Sequence, residues 1–190
     1  MNWYPLLVFL HVLGAVSMFA AWGVEAVLLQ RLRRTVTIDE ARTSAHHLRK
    51  YGRMAPVAML AVLATGMAMM TQWGPQPWMS AAFGALIVIG VIGGVTGRRM
   101  RPRIAAALAG EQGGAPTGIA ATAGSLAVSL QLRVAIGVGI IGLMTMKPGA
   151  QGSLLILGVA TVTGLLVAVR ETWRHGASRE RQPAERALRS

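Results

Sequence analysis

The chain has 190 residues, of which 53% are hydrophobic and 14% charged, with a mean hydropathy of +0.49 and no cysteine. A soluble domain carries about a quarter of charged residues, so one large soluble domain is excluded, and the missing cysteines exclude disulfides, thiolate metal sites and cysteine nucleophiles. The net charge is +12, yet its arginines sit at the ends of apolar runs rather than on a basic face, which argues for a membrane partner and against nucleic acid.

Five stretches meet the roughly 20 apolar residues that a membrane-spanning helix needs. They are expected at about 5–30, 54–72, 77–97, 124–146 and 152–169. The fold class expected is therefore all-α: a polytopic helical bundle filling 1–173 with a disordered basic tail over 174–190. The first run lacks a basic leader region and is too long for a signal sequence, so it reads as a retained helix.

The first run carries His11 and Glu25, which with Met18 are spaced by seven residues. Seven residues is nearly two helical turns, so the three share one face, beside Gly14, Ala15, Ala21 and Trp22. Such a seam of small residues beside polar groups suits a surface that faces other helices. From a boundary near Tyr4, His11 lies about 10 Å deep and Glu25 about 31 Å.

Between the first and second runs, Thr37-Ile-Asp-Glu40 reads as a capping box opening a short helix over 38–50. His46 and His47 in that helix are adjacent, point apart and make a poor chelate. Pro56 suits the first turn of the second span. The third run contains Gly90/Gly94 and Gly93/Gly97, two overlapping GxxxG pairs that predict a helix contact face. Residues 110–118, GEQGGAPTG, read as a flexible linker.

The fourth run is interrupted by Arg133, about 21 Å from the end marked by Lys147. A lone arginine at such depth costs roughly 2.5 kcal/mol or more, and Glu25 is the acidic residue available within a span. Two readings of Glu25 follow: it meets the inner headgroups, or it forms an intramembrane ion pair with Arg133, direct or water-linked, and the pair is expected. His11 has two readings: an imidazole bonded to a hydroxyl such as Ser17, Thr65 or Thr145, or a ligand to haem or metal. Met67, Met69, Met70, Met79, Met144 and Met146 gather at its end of the spans. Thioethers and an imidazole suit Cu(I), or a His/Met haem; alternatively, methionines simply fill irregular gaps. The metal set drawn from this pattern is His11, Met67, Met70, Met79, Met144 and Met146.

Charge alternates across the spans. The connection 31–53 holds seven basic residues, Arg98–Arg103 four and the tail from Arg170 six, while the intervening turns hold only Lys147. The expected orientation places the N-terminus outside and the C-terminus in the cytoplasm. Trp3, Tyr4, Trp73 and Trp78 fall at the outer boundaries and Tyr51 and Trp173 at the inner ones, as an aromatic belt would. Seventeen of the nineteen basic residues are Arg, and Ala and Gly are abundant, a composition pointing to a GC-rich bacterium and its inner membrane.

PLLVFLHVLGAVSMFAAWGVEAVLLQRL resembles the first helix of a broad set of bacterial multi-spanning proteins. These comprise the copper-resistance protein D family, the membrane-bound protoporphyrinogen oxidase family and a related group of integral membrane proteins of unknown function. IGLMTMKPGAQGSLL, around Lys147-Pro148-Gly149, looks most like the last group. The resemblance to the oxidases implies His11 as an axial haem ligand. Those oxidases also carry a lysine after a Trp-Leu-His type motif, where this chain has Trp78-Met-Ser-Ala-Ala-Phe83. The resemblance to the copper family implies copper handling.

No GxSxG, HExxH or GxxxxGK[ST] motif is present. Three functions fit the pattern. The first is a non-catalytic membrane component, working with the lipid bilayer and a membrane-protein partner or a second copy, with a solid core around His11. The second is a b-type haem protein with His11 on the wall of a slot. The third is a copper-handling protein with an outer cavity lined by His11 and methionines.

Overall fold

The computed structural model describes residues 3–34, 37–109 and 116–187. Its elements are α1 (Tyr4–Arg34), α2 (Ile38–Tyr51), α3 (Met54–Trp73), α4 (Pro77–Ala109), α5 (Pro116–Met146) and α6 (Ala150–Ala187). All but α2 are long and apolar enough to cross a membrane, by length and composition. The architecture is thus the all-α bundle of five such helices that the hydropathy implies.

Local chemistry explains the boundaries. Thr37 caps α2, its hydroxyl accepting from the Glu40 N–H at 3.4 Å. Gly52 closes α2, and α3 begins two residues later, with Pro56 in its first turn. Gly74, at φ +70, ends α3 where a side chain would be strained, and its N–H returns to the Met70 carbonyl. The α5–α6 turn is Lys147-Pro148-Gly149. Lys147 adopts the left-handed region, φ 47, and donates its N–H to Leu143, so that the chain reverses within three residues.

Two regions differ from expectation. Of the glycine-rich linker, 110–115 lie outside the described residues, and α5 already begins at Pro116. The tail, expected to be disordered from 174, continues α6 as helix to Ala187. Ala, Arg, Glu and Gln are strong helix formers, and extending an existing helix needs no new nucleus. Residues 188–190 lie outside the description.

The helices alternate in direction. His11 meets Thr65 and Gly66 of α3 while Gly14 meets Ala58 and Val62, so numbers rising on α1 face numbers falling on α3. The same antiparallel register joins α1 to α5, where Glu25 faces Arg133 and Trp22 faces Gly137. It also joins α3 to α4 through Met59–Gly90 and Gly66–Phe83, and α5 to α6 through Gly139–Ala160 and Gly164–Ala135. α5 is the hub, packing on α1, α4 and α6. Its most apolar stretch is 44% buried, against 11–28% for the other four spans. α3 packs mainly on α1 and touches α4 little, which leaves a slot between α3 and α4 backed by α1 and α5.

Large apolar side chains face outward: Phe9 and Val16 on α1, Leu60 on α3, Val91 on α4, and Leu154 and Leu166 on α6. In water such a surface would aggregate; against acyl chains it carries no penalty. The inward face of α1 is the stripe His11, Gly14, Met18, Ala21, Trp22, Leu29 and Leu32, all buried.

Close helix approach uses glycines other than the paired ones of α4. A Cβ on Gly164 would sit 2.7 Å from Ala135 Cβ, and one on Gly139 2.9 Å from Ala160 Cβ. On α4, Gly90 faces the Met59 side chain, Gly93 faces Arg133, and nothing lies within 4 Å of a Cβ on Gly94. The α4 glycines make room for long side chains and for the slot instead of forming a backbone seam.

Gly164→Ala is expected to cost about 1–3 kcal/mol, because the new methyl meets a rigid Cβ. Gly158→Ala, with open space around it, is expected to be close to neutral. Thermal unfolding of both variants in detergent, followed by circular dichroism, checks the difference.

Candidate functional site

The slot opens at two ends. At the end carrying the α3–α4 and α5–α6 turns it widens into a cavity of about 740 Å³. His11 from α1, Gly66, Met69 and Met70 from α3, Trp78, Met79 and Phe83 from α4, and Met144 from α5 contribute to its walls. At the opposite end is a second cleft, of about 450 Å³, whose floor includes Glu25 and Arg133.

His11 is 9% exposed. Its Nδ1 lies 3.0 Å from Thr65 Oγ1; of the three hydroxyls considered from sequence, this is its partner. A proton count assigns the tautomer. Thr65 Oγ1 has one proton, and it lies 2.7 Å from the Ala61 carbonyl and 3.2 Å from that of Val62, both of which only accept. With the hydroxyl proton directed there, the Thr65 oxygen must accept from His11, so Nδ1 carries the imidazole proton. In that tautomer the lone pair of the ring is on Nε2. A glycine at 66 gives the ring its place, since a Cβ there would come 3.3 Å from His11 Cε1.

The methionines divide. Met69, Met70, Met79 and Met144 line the cavity with His11. Met67 and Met146 are 59% and 74% exposed and do not line it. Helical phase explains the split on α3: Met69 and Met70 follow Gly66 by three and four residues and share its face, whereas Met67, the very next residue, is rotated by about 100° from it. Among the described residues no group of three or more His, Cys, Asp or Glu could hold a metal ion. Any ligation at His11 therefore draws on imidazole and thioether, not on a carboxylate or multi-histidine set.

Several cavity residues carried other meanings in the sequence. Trp78 and Tyr4 read as belt aromatics, Lys147 as a charge marker, and Phe83 as part of an uncharged run. No signal in one sequence places them together, because that depends on which helices are neighbours.

At the far end, Arg133 Nη2 donates to Glu25 Oε1 at 2.9 Å and Nη1 to Oε2 at 3.3 Å, a two-pronged ion pair between α5 and α1. Arg133 Nε also donates to the Ser129 carbonyl at 3.3 Å. The two side chains are only 9% and 15% exposed, so solvent screens the pair little. One turn away, Trp22 and Phe19, in edge contact with centroids 5.1 Å apart, cover Gly137.

His46 and His47 do not converge on a site. Their rings meet edge-on at 5.9 Å, and His47 stacks on Tyr51.

The chain matches no protein-family model, no curated protein and no solved structure.

Removing one member of the buried pair leaves an uncompensated charge. Glu25→Ala is expected to destabilise the bundle by about 3–5 kcal/mol, whereas the double variant Glu25→Leu/Arg133→Met recovers most of that loss. Denaturation of the single and double variants in detergent, treated as a double-mutant cycle, measures the coupling.

Proposed function

We propose that the chain is a multi-pass component of the bacterial inner membrane, without catalytic machinery of its own, that holds a b-type haem in the cavity beside His11. One observation carries the reading: a buried histidine whose Nδ1 is held by Thr65, on the wall of a cavity of about 740 Å³. Metal-bound histidines characteristically donate their other N–H to such a partner, which fixes tautomer and ring orientation.

The cavity argues against a solid core around His11. Sites of 300–1,000 Å³ with mainly apolar walls and few polar groups are the size of organic ligands. The residues fit haem in kind: the imidazole of His11 and a thioether from Met69, Met70, Met79 or Met144 would hold it. When bound, the haem supplies one-electron chemistry. The protein's part is to orient the imidazole through Thr65, enclose the ligand with Trp78 and Phe83, and exclude water. The resemblance of the first helix to the haem-binding oxidases supports His11 in this role. Their activity is not part of the proposal, because Trp78–Phe83 has neither the lysine nor the histidine of that family.

The four methionines beside His11 favour a second reading, a Cu(I) site. A copper ion needs only a few donors at close range, and a cavity this large leaves most of the space unexplained.

The orientation proposed places the arginine-rich connections in the cytoplasm and the His11 cavity towards the exterior. The absence of native cysteine makes its test clean. Gln76→Cys is expected to react with an impermeant maleimide on intact cells, and Thr43→Cys only after lysis. The reverse pattern would overturn it.

Protein purified in mild detergent is expected to show a Soret band and about one iron per chain. His11→Ala is expected to lose both while keeping its helicity, and Thr65→Val to bind haem about 10-fold or more weakly. A colourless preparation with bound copper would establish the second reading. A colourless, metal-free preparation would sink both.

A further inference from the structure

The cleft at the opposite end of the slot has a different chemistry. Arg53 from the α2–α3 turn and Arg98 and Arg101 from α4 line it, above the Glu25–Arg133 pair. The Glu25 carboxylate is taken up by both prongs of Arg133. Among the described residues, Arg53, Arg98 and Arg101 take part in no ion pair, so these guanidinium groups give the cleft a basic mouth. Guanidinium groups present paired N–H donors in the geometry that phosphate oxygens accept.

We propose that this cleft binds the phosphate headgroup of an anionic phospholipid, with the start of an acyl chain laid into the slot. Depth supports the assignment. Arg98 directly follows the uncharged run 77–97, so the arginines sit where hydrocarbon gives way to headgroups, whichever leaflet that is. Shape supports it too. Below the arginines the wall becomes apolar, with Met59, Ile89 and Leu126. Gly94 also lines the cleft, with open space where a side chain would stand. A soluble phosphate would use the basic mouth and leave the apolar wall uncovered; a phospholipid uses both. Basic pockets between membrane helices bind anionic headgroups in this way. The site lies at the other end of the slot from His11 and does not depend on the haem reading.

The test uses the full chain in detergent and reads the rise in unfolding temperature on titrating phosphatidylglycerol, phosphatidylcholine or inorganic phosphate. Arg98→Gln/Arg101→Gln removes two cleft arginines and spares the Glu25–Arg133 pair. Arg99→Gln/Arg103→Gln removes the same charge from the same helix at positions that do not line the cleft. Phosphatidylglycerol is expected to stabilise the wild type more than phosphatidylcholine does. The cleft variant is expected to bind it about 10-fold or more weakly, at about 1 kcal/mol for each arginine near a headgroup, while the control pair keeps wild-type affinity. Equal weakening in both variants would reduce the effect to general surface charge and overturn the site. Equal stabilisation by phosphatidylcholine would also overturn it. An equal response to inorganic phosphate would assign the cleft to a soluble anion and reject the lipid.

Discussion

The bundle is organised around one charged contact, between Glu25 of α1 and Arg133 of α5. In a hydrocarbon core neither group is tolerable alone, because an unpaired charge at that depth costs several kcal/mol. Together they satisfy each other through two hydrogen bonds, with a third from Nε to the Ser129 carbonyl. A contact so intolerant of displacement sets the axial register of α1 against the hub helix. Sliding either helix by one turn would move the groups about 5.4 Å apart along the axis. It would also lift Trp22 off Gly137, the glycine that lets the indole approach.

That register reaches the other end of α1. With Glu25 held, two turns per seven residues bring Met18 into the core and His11 against Thr65 of α3, near Met144 of α5. The polar stripe of α1 is one continuous inward face, used at one end to close an ion pair and at the other to present an imidazole. Helix association in lipid gains nothing from hydrophobic burial and relies on packing and polar contacts. This is why so few polar groups within the spans can decide so much of the arrangement.

The slot follows from the packing order. α1 engages α3 and α5, α5 engages α4 and α6, and α3 and α4 are left with little to bring them together. The space between them is divided by its side chains into an imidazole–thioether–aromatic end and a guanidinium end. The glycines of α4 belong to this slot. They form a smooth wall against Met59 and Arg133, whereas the tight approaches fall at Gly139 and Gly164, between α5 and α6.

Much of this was legible in the chain alone. Five long apolar runs set the helix count, because a backbone in lipid must satisfy its own hydrogen bonds. Arginine placement bears on orientation. The seven-residue spacing on α1 puts His11, Met18 and Glu25 on one face, and Arg133 is matched to Glu25 because Glu25 is the acidic residue available within a span. The tertiary structure decided what spacing cannot encode. It chose Thr65 among three hydroxyls for His11, separated Met69, Met70, Met79 and Met144 from the outward-facing Met67 and Met146, and turned the paired glycines of α4 towards a slot. Each of these depends on which helices are neighbours and at what rotation, a property of the whole packing and not of any one helix's periodicity.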